Sequence, residues 1–250
     1  MMRLINIFSK GSLVLISGVL TSLNVWAQDS CQLANNYDSY VLAMSWQPGF
    51  CEHVSYQGVK QECDHLNQGD ITVNHLTIHG LWPNKQACGI HYGNCSDSPL
   101  NLKSDTVKVI APWMPNFYYS TSFGTHEWNK HGSCQSLDDD DYFLLAKQLV
   151  EKFDASHLGD YLRTHLGQNV QTKQMRTELD ATLGRSVVSR MRLSCSKQGT
   201  QRYLTEIRVQ LPKVLNTSGS LDDLVQGASQ ATRFAGNCGN RFYIEDSGRE

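Results

Sequence analysis

Two short segments hold four of the nine histidines of this 250-residue chain. The first runs from His75 to Pro83 and the second from His126 to Gly132. Two imidazoles can exchange a proton near neutral pH, and a lysine beside them can hold a phosphate group. If the segments meet in space, they predict acid–base chemistry on a phosphate ester without a metal ion.

The second segment has the pattern of a short helix from Phe123 to His131, with the following glycine as its stop. Glu127, Lys130 and His131 are spaced i, i+3 and i+4, so they are expected on one helix face. There the carboxylate can orient the imidazole, and the lysine can neutralise a phosphate oxygen. Trp128 points away from that face and is predicted to lie in the core.

Two other interpretations of this segment stay open. His126 and Glu127 resemble the start of the zinc motif H-E-x-x-H, which would make the protein a zinc hydrolase. That motif requires a second histidine where this chain has Lys130, so the zinc interpretation is disfavoured. Alternatively, the segment is a group of surface polar residues near a helix end.

The first segment has the pattern of a strand. Apolar and polar residues alternate from His75 to His79, so both histidines are expected on the polar face. Gly80 and Pro83 are expected to end the strand. A histidine held at a strand end suits general acid–base catalysis. Trp82 is either structural or a stacking platform for a base.

The chain begins with the pattern of a secretory signal peptide. Arg3 and Lys10 precede the largely apolar run Leu13–Leu20, and Val25-Trp26-Ala27 offers small residues to a signal peptidase. A membrane anchor is the disfavoured alternative, because the run is short for a bilayer. Cleavage would remove residues 1–27 and leave 28–250 as a single soluble domain, which we expect to be monomeric.

The cysteine pattern agrees with export. All eight cysteines follow the predicted cleavage site, and none has C-x-x-C spacing, which argues against a zinc ribbon. An even number in an exported chain predicts a disulfide framework with many possible connectivities. Proximity favours Cys51 with Cys63, and Cys195 with Cys238 would hold the carboxyl-terminal region.

The net charge limits the function classes. It is −2 for the whole chain and about −4 once Arg3 and Lys10 are removed. A general nucleic-acid coat is usually strongly basic, so this class is excluded. RNA could bind only in a local positive pocket with fast release, which suits an enzyme better than a binding module.

The remaining elements indicate the fold class. Strands are predicted at Tyr40–Trp46, Val187–Cys195, Tyr203–Leu211 and Phe242–Ile244. Helices are predicted at Asp138–Phe153, Ser156–Leu166 and Thr172–Leu183. The acidic run Asp138–Asp141 could bind a metal, but stabilising a helix start is the favoured interpretation. Strands and helices are segregated, which predicts a single α+β domain.

Several segments together resemble one known family. The sequences of residues 79–83 and 126–132 are similar to the two active-site segments of the T2 family of ribonucleases, which are exported RNA-cleaving enzymes. Tyr40–Gln47 with Cys51 resembles the family's first strand. Tyr203–Ile207 and Gly236–Gly239 resemble the tail of its bacterial, periplasmic ribonuclease I branch. The resemblance covers nearly the whole mature chain.

The resemblance implies a central antiparallel β-sheet with helices packed around it, and cleavage of single-stranded RNA without metal or cofactor. His131 would be the general base that deprotonates the ribose 2′-hydroxyl, and His79 the general acid that protonates the leaving 5′-oxygen. The product would be a 2′,3′-cyclic phosphate, later hydrolysed to a 3′-phosphate. Glu127 and Lys130 would stabilise the five-coordinate phosphorus.

The resemblance also implies substrate-binding residues. His126 would help to hold the phosphate, Trp82 would stack on the base 5′ to the cut, and Phe123 would lie near the base 3′ to it. Asn84 stands where some fungal relatives carry an aspartate that contacts adenine, so we expect weak base preference. His75 is expected to be structural or peripheral.

Two further expectations follow from the resemblance. A Cys95–Cys134 disulfide would join the two active-site segments, which leaves Cys31 with Cys88. The rival function is a non-catalytic exported module that uses a ribonuclease-like fold for binding. The full set of histidines, glutamate and lysine argues against it, because a binder needs no acid–base pair.

Overall fold

The structure is a computed structural model that describes residues 30–56 and 58–247. The predicted signal peptide, residues 1–27, lies outside them. The strands are β1 (Ser39–Trp46), β2 (Leu76–Asn84), β3 (Gln168–Gln171), β4 (Met191–Gln198), β5 (Gln201–Pro212) and β6 (Arg241–Ile244). The α-helices are α1 (Gln47–His53), α2 (Gln61–Gln68), α3 (Ser104–Ile110), α4 (Ser122–Lys130), α5 (Asp139–Asp154), α6 (His157–Thr164), α7 (Thr172–Thr182), α8 (Arg185–Val188) and α9 (Leu221–Val225). None of these helices is long and apolar enough to cross a bilayer.

The strands form one sheet in the order β2-β1-β5-β6-β3, with β4 also paired to β5. Residues 206–209 of β5 pair with both β1 and β4, so these two strands lie on opposite edges of β5. The pairings are antiparallel except for a parallel contact between β5 and β6. The predicted α+β domain, with helices around a central sheet, is confirmed, and the sheet is mixed rather than purely antiparallel.

Strand β2 does not end at Gly80 or Pro83, contrary to the prediction, but continues to Asn84. It lies at the edge of the sheet, and an edge strand tolerates proline. Ala43 of β1 pairs with Gly80, whereas Met44 pairs with Ile78. His79 is therefore the extra residue of a β-bulge, a feature that re-aims a side chain next to an active site.

The two faces of the sheet differ in character. One face packs into the core through Tyr40, Leu42, Met44 and Trp46 of β1, Met191 and Leu193 of β4, and Ile207, Val209 and Leu211 of β5. Helix α5 packs against β2, and the Tyr142 hydroxyl donates a hydrogen bond to the carbonyl of Leu81 at 2.8 Å. The opposite face carries the polar residues of β2, β4 and β5.

Helix α5 starts as the acidic pattern predicts. The Asp138 carboxylate accepts a hydrogen bond from the backbone N–H of Asp141 at 2.9 Å, which caps the helix. Asp140 pairs with Lys103 at 3.0 Å. These carboxylates have structural partners, in agreement with the capping interpretation.

The strand predicted at Val187–Cys195 is wrong in its first half. The backbone forms helix α8 there, and β4 begins only at Met191. Val187 and Val188 are fully buried within the helix. A short apolar run of this kind fits a buried helix as well as a strand, because its periodicity does not distinguish them.

Four disulfides join the described cysteines, in the same pairs as expected: Cys31–Cys88, Cys51–Cys63, Cys95–Cys134 and Cys195–Cys238. The Cys95–Cys134 bridge lies beside the end of α4. Next to it, the backbone N–H of Asn94 donates to the carbonyl of Lys130 at 2.9 Å. The loop before Cys95 is thereby fixed to the second histidine segment.

Candidate active site

The two histidine segments meet at the indole ring of Trp82. Its Nε1 donates a hydrogen bond to Glu127 Oε2 at 2.7 Å. The His131 ring stacks on it with centroids 5.2 Å apart, and the His79 ring meets it edge-on at 5.1 Å. A residue from β2 therefore joins the carboxylate of α4 to both imidazoles.

The close approach of β2 and α4 depends on Gly80. A Cβ atom at this position would lie 2.1 Å from Glu127 Oε2 and 2.4 Å from Trp82 Nε1. Any larger residue would separate the two groups. The same approach buries Glu127, which is only 2% exposed.

The His79 ring is held between two carboxylates. Its Nδ1 bonds Glu206 Oε2 on β5, and its Nε2 lies 3.9 Å from Glu127 Oε1. The second oxygen of Glu206 accepts a hydrogen bond from Arg208 Nε. With Nδ1 engaged, Nε2 is the nitrogen of His79 that remains for a substrate.

Glu206 was not among the site residues expected from the sequence. Its position follows from the register of the sheet, because Ser45 of β1 pairs with Glu206 on one side and with Thr77 of β2 on the other. A signal was present in the sequence: Glu206 and Arg208 alternate with buried apolar residues in β5. This alternation puts both charges on the face of the sheet that carries His79.

The carboxylates keep His79 protonated to higher pH than an ordinary histidine. Burial alone would lower the pKa of His79, but the hydrogen bond and charge of Glu206 and the charge of Glu127 raise it overall. Burial raises the pKa of Glu127, because it disfavours the charged carboxylate, and the charge of His79 opposes this effect without cancelling it. For Glu206 the bonds to His79 and Arg208 outweigh burial, and its pKa is lowered.

The pKa of His131 is shifted in the opposite direction. Burial and the neighbouring cations, Lys130 first among them, lower the pKa of His131 to about 3. Partial desolvation of the otherwise exposed His126 ring and the charge of Lys130 also lower the pKa of His126. The site therefore holds one imidazole that favours the proton and one that favours the neutral form.

Two residues of the second segment lie where the helix ends. Lys130 is the last residue of α4, and its ammonium forms no ion pair with any residue the structure describes. His131 follows with a non-helical backbone, φ −123° and ψ −53°. Its Nδ1 is buried and has no hydrogen-bond partner in the part of the chain that the structure describes. The helix was predicted to include His131, but α4 ends one residue earlier, at Lys130. His131 and Glu127 nevertheless both reach Trp82.

The remaining predicted residues surround this cluster. The Phe123 ring lies 5.5 Å from the His79 ring, beside a pocket that is also lined by Lys60 and Asn116. Asn84 is half-buried at the end of β2, on the same strand face as Trp82, and donates to Ser39 Oγ at 3.4 Å.

Three residues lie at the periphery or outside the site. His126 is exposed on α4. His75 lies just before β2 and packs against the Trp113 ring at 4.7 Å. Trp128 is buried, as predicted, and donates to the carbonyl of Ser98 at 2.8 Å.

The arrangement can carry out paired acid–base catalysis. One imidazole is held by a carboxylate that favours its charged form, the other favours its neutral form, and a lysine lies close to the second. Within residues 30–56 and 58–247, the group of His, Cys, Asp or Glu side chains close enough to hold a metal ion is Asp138–Asp140, which is separate from this cluster.

Known proteins are similar to this chain in sequence and in fold. A sequence model of the Ribonuclease T2 family matches residues 37–224. Ribonuclease I of Escherichia coli is 27% identical over 261 residues, which cover 91% of this chain and 93% of that protein.

The fold is also similar to that of several solved ribonuclease structures. Human RNase T2 has a TM-score of 0.58 at 19% identity, covering 84% of this chain and 100% of that chain. RNase NT, solved in complex with 5′-AMP, has a TM-score of 0.59 at 18% identity, covering 84% of this chain and 98% of that chain. With the family match over residues 37–224, these findings show that the chain belongs to the Ribonuclease T2 family and is an endoribonuclease.

Proposed function

We propose that the protein is an exported, metal-independent endoribonuclease that cleaves single-stranded RNA by transphosphorylation. The observation that carries the proposal is that the pKa values of two neighbouring imidazoles are shifted in opposite directions. The pKa of His79 is raised, and that of His131 is lowered to about 3. Paired titratable groups whose environments separate their pKa values are typical of an acid and a base in one active site.

In the first step His131 Nε2 takes the proton from the ribose 2′-hydroxyl. The 2′-oxygen attacks the adjacent phosphorus, and the bond from phosphorus to the 5′-oxygen breaks. His79 Nε2 gives its proton to that leaving oxygen, so a 2′,3′-cyclic phosphate and a free 5′-hydroxyl result. In the second step water replaces the leaving alcohol, the histidines exchange roles, and a 3′-phosphate forms.

The charged groups around the pair stabilise the five-coordinate phosphorus. Lys130 has no ion pair among the described residues, so its ammonium is free to contact a phosphate oxygen. His126 lies one helical turn before Lys130 and supplies a further contact. Glu127, held by Trp82, stabilises the charge that develops on the reacting groups. Preorganised groups of this kind typically contribute about 10²–10³ to the rate.

The two bases beside the cut bind on either side of His79. Trp82 stacks on the base 5′ to the cut, and Asn84 offers an amide to its edge. The base 3′ to the cut enters the pocket beside Phe123, which adjoins His79. An amide that can both donate and accept is compatible with several bases, so we infer low base specificity.

Export and a monomeric state complete the proposal. Four disulfides in a chain of this size are typical of an oxidising compartment outside the cytosol. The leader pattern of residues 1–27 supports the same compartment, which would be the periplasm or the medium. The acidic net charge favours rapid release of cleaved RNA from a single subunit.

The test is digestion of single-stranded RNA in the presence of EDTA, with analysis of the product ends. We expect full activity, with 2′,3′-cyclic phosphates first and 3′-phosphates later. A substrate with a 2′-deoxyribose at the cut should resist cleavage, since it lacks the nucleophile. Loss of activity in EDTA, equal cutting of DNA, or RNA binding without turnover would contradict the proposal, the last in favour of a non-catalytic module.

A further inference from the structure

The polar face of the sheet continues beyond the proposed active site and remains open there. Helix α1 covers one end of it, where the His53 ring stacks on Tyr203 of β5 at 3.4 Å. Beyond Glu206 this face carries Arg208 and, on β4, Arg192. Arg192 is exposed, and the Arg208 side chain is 43% exposed.

The register brings these two arginines side by side. Arg192 pairs directly with Arg208 across β4 and β5. Like charges directly opposite each other destabilise a sheet. Arg208 shares Glu206 with His79, whereas Arg192 has no ion pair with any residue in the described ranges. The pair therefore has an excess of positive charge, which an anion bound between the two side chains would offset.

The same row leads to the active site. Ala43 of β1 pairs with Arg208 on one side and with Gly80 of β2 on the other. These small residues leave room for Arg208 to cross β1, and its guanidinium carbon lies 4.8 Å from the Trp82 ring centroid. Cationic side chains thus follow one another from Trp82 through Arg208 to the exposed Arg192 on β4.

We infer that Arg208 and Arg192 form a binding subsite for a backbone phosphate of the RNA strand on the 5′ side of the nucleotide that stacks on Trp82. This inference rests on the proposed function, because it takes the direction of the strand from the proposed role of Trp82. Guanidinium groups suit this ligand, since their planar donors match phosphate oxygens. The subsite adds affinity for substrates longer than the two nucleotides at the cut.

The test compares one ribodinucleotide, UpA, with the same compound carrying a 5′-phosphate, pUpA. For the wild-type protein we expect kcat/KM to be about 5-fold higher for pUpA, through a lower KM, because a charge-assisted contact to a partly exposed phosphate is worth about 1 kcal/mol. The advantage should shrink between 50 and 200 mM salt, as expected for phosphate contacts.

Arg192→Gln should remove most of the advantage of pUpA over UpA. It is the diagnostic variant because Arg208 also bonds Glu206, so a change at Arg208 would disturb His79. Lys197→Gln is the matched control: Lys197 is an exposed cation on the same strand, and the alternation of β4 directs it to the opposite face. This control should keep the full advantage.

These measurements distinguish a failure of the proposed subsite from a failure of the proposed function. Equal kcat/KM for the two compounds in the wild-type protein would overturn the subsite, as would an undiminished advantage in Arg192→Gln. An equal loss in Lys197→Gln would also overturn it, since the effect would then be one of net charge. Failure of the wild-type protein to cleave either compound would instead contradict the proposed function.

Discussion

The two histidine segments supply chemically opposite imidazoles because their surroundings differ. His79 lies on a bulged strand and is held between Glu206 and Glu127. His131 lies half-buried at a helix end, with Lys130 before it and a Nδ1 atom that has no hydrogen-bond partner among the described residues. Carboxylates stabilise a proton on the first ring, whereas burial and cations remove it from the second. The proposed roles of acid and base therefore depend on neighbouring elements rather than on the two motifs alone.

Removal of either imidazole should cause the largest loss of activity. We expect His79→Ala and His131→Ala each to lower kcat/KM on RNA by about 10²–10⁴-fold, because each ring moves a proton in the transition state. Initial rates in EDTA measure the effect, and circular dichroism checks that the fold is retained. His75→Ala is the control, since His75 packs on Trp113 away from the site, and it should cleave at nearly the wild-type rate. Near-normal activity in either of the first two variants would disprove the role of that histidine.

Loss of the charge on Glu127 should have the second largest effect. Glu127→Gln keeps an oxygen that can accept the hydrogen bond from Trp82 Nε1 but removes the negative charge near His79. We expect kcat to fall by about 10²–10³-fold with a smaller change in KM, since the group acts in the transition state. A change confined to KM, measured by steady-state kinetics, would show that Glu127 serves substrate binding instead.

A change at Glu206 should shift the pH dependence of the activity rather than abolish the activity. Glu206 raises the pKa of His79, so Glu206→Gln should lower it and shorten the pH range in which His79 carries its proton. The alkaline limb of the kcat/KM profile should move to lower pH, and the rate at pH 7.5 should fall by about 10-fold. Glu245→Gln is the matched control, because Glu245 forms a partly buried ion pair with His53, a histidine that is not among the proposed catalytic residues. An unmoved limb in Glu206→Gln would contradict the positioning role.

The smallest effect is expected at Asn84, at the far end of β2. Asn84→Asp replaces a group that both donates and accepts with one that only accepts. Relative rates on dinucleotides that differ in the 5′ base should change by about 2-fold to 10-fold, which is the worth of one hydrogen bond. Unchanged ratios would place Asn84 outside the base site.

The sequence could predict the histidine segments and most of the long elements. Helix α5 and strand β1 carry their own periodicity and, for α5, a capping residue, so local pattern was sufficient. The buried valines of α8 predict a strand as readily as a helix, so local pattern is not sufficient there.

Other features depended on tertiary structure. The bulge at His79 could not be predicted, because it depends on how β2 aligns with β1. Glu206 was missed for the same reason: its role comes from its register beside Ser45. The opposite pKa shifts were also hidden in the sequence, since burial and contacts from distant segments cause them.

The most direct test of the proposed acid and base is an NMR titration of the imidazole resonances of His79 and His131 in the wild-type protein. The two alanine variants assign the resonances. We predict that His79 titrates above pH 6.5 and that His131 titrates far below it, near pH 3, so that both hold the required proton state over the range between. The reverse order, or two titrations that coincide near pH 6.5, would contradict the assignment of acid and base.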